Sequence, residues 1–230
     1  MSFDYERQMI EPVEMWLLSQ GLLVKREFPL PWGICDLVGC SFNKKSVKKR
    51  LAFGQKKTVG SHLRVALLSM IPDREEARSI SVEKLHGAFA GFVDESQIRI
   101  ELERLERDKF VVQTPEGAFQ RVNGWLPLHR RLVAVELKLT RVDDALHQAI
   151  NNLGFADESY VGLPADVAKR LINSKRKSQF ADSRVGVIAV DSARCKILLK
   201  PNLGKASGDE VIQMHCVERF WRSYLIDTEA

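Results

Sequence analysis

Two short apolar segments of this chain carry charged residues whose types and spacing suit catalysis. The segment GICDLVG contains Asp36, and the segment LVAVELKL contains Glu136 and Lys138. Both segments have the length and composition of β-strands. A carboxylate inside a hydrophobic strand costs several kcal/mol unless it is paired or binds a metal ion. The two carboxylates and the amine therefore predict one divalent-cation site.

The chemistry expected of such a site is hydrolysis of a phosphodiester bond. Side chains alternate along a strand, so Glu136 and Lys138 share one face and Leu137 points to the other. The predicted ligands of Mg²⁺ or Mn²⁺ are Asp36, Glu136 and the main-chain carbonyl of Leu137. The metal would lower the pKa of a water molecule and neutralise charge on the phosphate. Lys138 is predicted to act on that water and to offset charge on the phosphate oxygens.

The same residues also allow non-catalytic, purely structural interpretations. Asp36 could be a strand-end carboxylate that accepts hydrogen bonds from turn N–H groups. Glu136 and Lys138 could form a cross-strand ion pair at a sheet edge. A third acid favours the catalytic interpretation, because Glu6 lies one helical turn before Ile10 on the predicted apolar stripe of an opening helix that runs to about Ser19.

The order Asp36, Glu136, Lys138 resembles the PD-(D/E)XK nuclease superfamily, which has the restriction-endonuclease-like fold. The similarity extends beyond these residues to ERQMIEPVEMWLLSQGLLVKRE and ALHQAINNLGFADESYVGLP, which are similar to a bacterial branch of that superfamily. It covers residues 2–42 and 131–200, about half the chain.

The resemblance assigns roles to two more residues. It matches Glu6 to a glutamate on the leading helix and Gln148 to a glutamine on the helix after the ExK strand, and it implies that both support catalysis. The chain departs from the family pattern at Cys35, where proline is usual. The interval between Asp36 and Glu136 is also unusually long, which an inserted module explains.

The order of the helical and strand-like patterns along the chain predicts where the insertion lies. Residues 61–122 show three helical patterns followed by two strand-like runs, an order that resembles a winged helix-turn-helix. From Leu132 onward strands alternate with helices. The predicted fold is therefore α/β, a restriction-endonuclease-like mixed central sheet flanked by helices, with an inserted winged helix-turn-helix-like domain. The predicted domains are a discontinuous core of 1–42 and 129–230, a basic linker of 43–60, and an insertion of 61–128.

Basic residues follow the first catalytic strand without any intervening acid. Residues 43–57 are predicted to be an exposed loop or linker, and phosphate contact is favoured over a merely solvated charge run. The predicted contacts are Lys44, Lys45, Lys48, Lys49, Arg50, Lys56 and Lys57. Gln97 and Arg99 on the third module helix could enter a major groove. Interleaved glutamates would oppose that contact, so the helix could instead face a partner subunit.

Composition limits the remaining function classes. The chain has 230 residues and a formal net charge of +5. It contains neither an apolar run long enough to cross a bilayer nor a phosphate-binding GxxxxGK[ST] loop. The four cysteines form no CxxC pair, which predicts reduced thiols and a cytoplasmic location without structural zinc. Nucleic acid is the predicted partner, DNA being favoured over RNA, and no membrane partner is expected.

Two alternatives use the same fold without the nuclease activity just described. In the first, the chain is a catalytically silent nucleic-acid-binding or regulatory protein whose winged helix provides specificity. In the second, the insertion mediates homodimerisation or senses a signal, and the core is active only in response to the insertion.

Overall fold

The computed structural model describes residues 3–202 and 208–229. The chain forms two compact units, one from Met1–Ser41 and His129–Gln213, the other from Phe42–Leu128 and Met214–Ala230. The helices are a 3₁₀ turn at Glu6–Met9, α1 (Ile10–Ser19), α2 (Lys44–Ala52), α3 (His62–Met70), a 3₁₀ turn at Arg74–Glu76, α4 (Val82–Ala88), α5 (Glu95–Arg107), α6 (Val142–Asn152), α7 (Ala165–Ile172), α8 (Arg176–Asp182) and α9 (Glu210–Glu229). The strands are β1 (Leu23–Leu30), β2 (Gly33–Phe42), β3 (Val111–Gln113), β4 (Phe119–Arg121), β5 (His129–Leu137), β6 (Glu158–Pro164), β7 (Gly186–Val190) and β8 (Cys195–Leu199).

The first unit is built on a six-stranded sheet of order β1-β2-β5-β6-β7-β8. β1 pairs with β2 and β7 pairs with β8 in antiparallel fashion, whereas β5, β6 and β7 are parallel neighbours. Helices follow β5 and β6, as parallel connections require. The prediction of a mixed α/β fold with a central sheet flanked by helices is confirmed.

Both faces of this sheet are covered by helices, and the side chains of the central strands point alternately to one face and the other. On one face, α1 packs its stripe of Val13 and Leu17 against Val135 and its neighbours on β5. On the other face, α6 and α7 pack apolar residues such as Ala149 against Val161. Met9 is fully buried in the same cluster, and the predicted Ile10 is partly buried against it.

The second unit contains α2 to α5, the β3–β4 hairpin and the C-terminal part of α9. The starts of α3 and α4 are capped by serine side chains, Ser61 and Ser81, which accept hydrogen bonds from main-chain N–H groups. On α5 the residues Ile98, Leu102 and Leu105 are buried at helical spacing.

The prediction that residues 43–57 form an exposed loop is wrong for the first half of that segment. Residues 44–52 form α2, because the Asn43 side chain accepts hydrogen bonds from the N–H groups of Lys45 and Ser46, which caps the helix. Val47 and Arg50 then form its buried face.

The closing segment also differs from its predicted place in the catalytic core. Residues 214–229 belong to the second unit, where they make polar contacts. Glu218 accepts a hydrogen bond from the N–H of Val59 at 2.7 Å. The indole of Trp221 donates to the carbonyl of Lys56 at 2.9 Å.

Two observations bear on the predicted environment of the chain. Within the described parts of the chain, no helix combines the length and the apolar composition needed to cross a bilayer. All four cysteines are free thiols, and all but Cys195 are buried. The cellular compartment itself stays a prediction.

Candidate active site

The two predicted metal-binding carboxyl groups, 100 positions apart in sequence, lie together in the first unit. Strands β2 and β5 are neighbours in the sheet. The Asp36 Oδ2 atom accepts a hydrogen bond from the N–H of Leu137 at 2.7 Å. Glu136 directly precedes Leu137 on β5, so Asp36 lies beside the part of the strand that carries Glu136. The fold therefore brings both acids to one point where β5 ends.

Burial makes this pair of acids unusually weak. Glu136 is only 2% exposed. Its pKa is raised to about 7, chiefly by the loss of solvent. A hydrogen bond from Asn152 opposes this rise, and the negative charge of Asp36 contributes to it. Burial likewise raises the pKa of Asp36. Near neutral pH, Glu136 is therefore partly protonated, and a divalent cation could replace that proton.

Lys138 and Glu6 meet at the end of β5. The Lys138 Nζ atom lies 3.5 Å from Glu6 Oε2 and donates a hydrogen bond to the Leu137 carbonyl at 3.0 Å. Glu6 also accepts a hydrogen bond from the N–H of Leu139 at 3.4 Å. The Lys138 amine therefore lies between Glu6 and the carbonyl of Leu137, which was predicted from the sequence to be a metal ligand.

An open cleft of about 510 Å³ begins at this point. Its lining side chains are Glu6, Lys138, Arg141, Asp144, His147 and Gln148. Gln148, which only the resemblance singled out, therefore shares a cleft with Glu6 and Lys138. A larger cavity of about 670 Å³, between α1 and residues 192–195, contains none of the predicted catalytic residues.

The donor set fits a hard cation that keeps much of its water. Among residues 3–202 and 208–229 there is no group of three or more His, Cys, Asp or Glu residues arranged to hold a metal. The candidate set here is smaller, comprising the carboxylates of Asp36 and Glu136 and the carbonyl of Leu137. Mg²⁺ is commonly held by one or two carboxylates and retains several waters, so this set suits Mg²⁺ or Mn²⁺.

Three residues near the site were not predicted from the sequence. Asn152 donates a hydrogen bond to Glu136 Oε1 at 2.7 Å from the last turn of α6. Its position, three residues after the buried Ala149, could have marked it as an amide on a buried helix face. Arg141 and His147 line the cleft, and no local pattern in the sequence distinguished them.

The predicted phosphate-binding residues have different surroundings in the second unit. Lys44, Lys45, Lys48 and Lys49 are exposed on α2, and Lys56 and Lys57 are exposed after it. Arg50 was assigned to this group wrongly. It is fully buried, because helical spacing turns it inward beside Val47, and it pairs with Glu218.

The two residues predicted to enter a major groove are both exposed on α5. Gln97 lies near the start of this helix. Arg99, however, donates a hydrogen bond to Glu95 at 2.6 Å and lies 3.7 Å from Glu83. These acids compete with any phosphate for the guanidinium group, so groove contact by Arg99 stays a prediction.

Comparison with known proteins identifies no family. No protein-family model matches the chain, and no curated protein matches it. Among solved structures, the SPO1766 protein of unknown function from Silicibacter pomeroyi is similar over 100% of this chain and 92% of its own. The sequence identity is 10% and the TM-score is 0.44, values that support no statement about ancestry or activity.

Proposed function

We propose that this chain is a divalent-metal-dependent nuclease that hydrolyses phosphodiester bonds, with DNA as its expected substrate. The observation that carries the proposal is the hydrogen bond from the Leu137 N–H to Asp36, which brings Asp36 to the end of β5 that carries Glu136. The Lys138 amine lies at the same strand end, on the Leu137 carbonyl and near Glu6. Glu136 is buried, Asp36 is partly buried, and Lys138, two residues after Glu136, lines the open cleft. Two acids with raised pKa values and an amine next to a cleft suit the activation of water against an anionic substrate.

Each residue of the site has a distinct role in this proposal. Asp36, Glu136 and the carbonyl of Leu137 would hold the cation. A bound Mg²⁺ or Mn²⁺ ion supplies an acidic water and offsets phosphate charge. The Lys138 ammonium would donate a hydrogen bond to the attacking water or a phosphate oxygen, and Glu6, 3.5 Å away, would keep the ammonium in place.

Metal titration tests the site directly. We expect one Mn²⁺ or Mg²⁺ site whose affinity rises between about pH 5 and pH 8, by up to about tenfold per pH unit, because the cation must displace a proton from Glu136. This range follows from the Glu136 pKa of about 7. Isothermal titration calorimetry in two buffers of different ionisation enthalpy would measure the affinity and the proton release.

Matched variants make the calorimetry specific. Asp36→Asn should remove the metal site, whereas Asp143→Asn, which changes an exposed acid paired with Arg176, should leave it intact. Equal metal binding by wild type and Asp36→Asn, or no binding by either, would contradict the proposal. Nucleic-acid binding without a metal site would support the non-catalytic alternative.

We further propose that the second unit is a winged helix-turn-helix-like module that contacts nucleic acid. The helices α3 to α5 followed by the β3–β4 hairpin support this proposal by their order. The exposed lysines of α2 support it by their charge, since its exposed face carries no acid. A row of ammonium groups one helical turn apart suits a phosphate backbone.

Neutralising this row of lysines should weaken binding in a salt-dependent way. Replacing Lys44, Lys45, Lys48 and Lys49 by glutamine should lower the slope of log affinity against log salt by about 3 to 4, because each contact with duplex DNA contributes about 0.9. Fluorescence anisotropy with a labelled duplex at several salt concentrations measures this slope. A control with the same loss of charge replaces four exposed lysines of the first unit, Lys169, Lys175, Lys196 and Lys200. Equal slopes for both variants would contradict the assignment.

A further inference from the structure

The wall of the cleft that α6 provides carries two hydrogen-bond donors that the proposed hydrolysis does not use. Arg141 is the N-cap residue of α6, and its side chain is 76% exposed. His147 is exposed next to Gln148. Both line the cleft together with Lys138. These donors are additional to the Lys138 amine, so the cleft offers more contacts than one phosphate at Lys138 would use.

The charges of this wall are arranged so that an anion can enter. Arg141 forms an ion pair with Asp144, one helical turn away, and this carboxylate is also part of the cleft. An exposed ion pair contributes little to stability, so the guanidinium can exchange the carboxylate for another anion at small cost. The planar fork of arginine donates two parallel hydrogen bonds to a phosphate.

We infer that Arg141 and His147 form a second phosphate subsite, which binds the phosphate group next to the scissile one. This inference rests on the proposed function and adds to it a substrate class, a strand with at least two consecutive phosphates. The guanidinium would bind the neighbouring phosphate, and the imidazole N–H of His147 would donate to the same group.

Substitutions on the two sides of the Arg141–Asp144 pair should have opposite effects. Arg141→Gln should lower kcat/KM on an oligonucleotide substrate by about tenfold or more, since it removes a charge-assisted contact with phosphate. Asp144→Asn should raise kcat/KM by a few-fold, because it frees the guanidinium and removes a negative charge from the cleft. If the pair merely supports α6, both substitutions will lower the activity together, and the inference is then wrong.

A matched control is available on α7. Arg170 is exposed and donates a hydrogen bond to Asp166, one helical turn away, at 3.0 Å, but it does not line the cleft. Arg170→Gln removes the same charge and the same kind of ion pair. It should change kcat/KM by less than about twofold. If Arg170→Gln lowers kcat/KM as much as Arg141→Gln does, the effect comes from overall charge, and the subsite inference is wrong.

Oligonucleotides with one uncharged methylphosphonate linkage locate the contact. For wild type, the linkage should slow cleavage most when it lies next to the cut position. In the double variant Arg141→Gln/His147→Gln, the same linkage should cause no further loss, because the contact is already absent. Independent, multiplicative losses would overturn the inference. Substrates with and without a terminal phosphate distinguish an end phosphate from an internal diester as the bound group.

The failure of this inference can be distinguished from the failure of the proposed function. Wild type that cleaves no DNA or RNA oligonucleotide with Mg²⁺ or Mn²⁺ would contradict both. The nuclease proposal would stay intact if the wild type cleaves, Lys138→Met does not, and Arg141→Gln has a normal kcat/KM. That set of results would overturn the second subsite alone.

Discussion

Replacing Lys138 with methionine is expected to slow metal-dependent phosphodiester cleavage by about 100- to 1000-fold, the cost of losing one preorganised charge-stabilising donor. The ammonium group lies 3.0 Å from the Leu137 carbonyl and 3.5 Å from Glu6, so it is positioned before substrate arrives. Methionine preserves most of the apolar stem and removes only the charge. Initial rates on a panel of DNA and RNA oligonucleotides, with Mg²⁺ or Mn²⁺ at saturation, measure the effect.

Comparison with metal binding separates the role of Lys138 from that of the ligands. Lys138→Met should still bind the cation in calorimetry, whereas Asp36→Asn should lose both binding and cleavage. Lys200→Met serves as the control, because it removes an exposed lysine elsewhere in the first unit and should cleave normally. Unchanged cleavage by Lys138→Met would eliminate the proposed mechanism.

The second large effect concerns stability. Glu218→Gln is expected to lower the free energy of unfolding of the second unit by about 3 to 5 kcal/mol, because it leaves a buried charge without its partner. The Arg50 guanidinium is fully buried and donates to Glu218 Oε2 at 3.1 Å and to the Lys57 carbonyl at 2.9 Å. It also lies 4.4 Å from the centre of the Trp221 ring. Urea unfolding followed by tryptophan fluorescence and circular dichroism would measure the loss.

A double-mutant cycle shows whether the effect belongs to the pair. Arg50→Met should also destabilise, but Arg50→Met/Glu218→Gln should be much more stable than the sum of the two losses predicts, since neither charge remains buried alone. Lys49→Met, on the exposed face of the same helix, should change stability by less than about 0.5 kcal/mol. Additive losses, or a loss under about 1 kcal/mol for Glu218→Gln, would show that the pair is not coupled.

Much of the first unit could be predicted because its signals are local. The strands around Asp36 and Glu136 are marked by apolar composition and turn residues within a few positions, and α1 ends at Ser19 as its pattern indicated. The alternation of strands with helices after Leu132 predicted a mixed sheet for a reason of geometry, because parallel strands need crossover connections. These signals do not depend on distant parts of the chain.

The basic segment shows where local signals fail. Its run of lysines and one arginine gave no reason to separate Arg50 from its neighbours, so all were expected to face solvent. The carboxylate that neutralises Arg50 belongs to Glu218, 168 positions away. Burial of a charge depends on a partner of opposite sign, and a pattern within one segment cannot reveal a partner at that separation.

For the candidate site, residue types and their order along the chain nominated Asp36, Glu136, Lys138, Glu6 and Gln148 before any fold was known. The sequence by itself determined Asp36, Glu136 and Lys138, because acids and amines in apolar strands are costly and therefore conspicuous. Glu6 was indicated by its place on the apolar stripe of a helix, and Gln148 by the family resemblance alone. Only the tertiary structure decided which groups surround them. Asn152, Arg141 and His147 reach the site because α6 packs back across the sheet after β5, and such proximity is created by packing rather than by spacing along the chain.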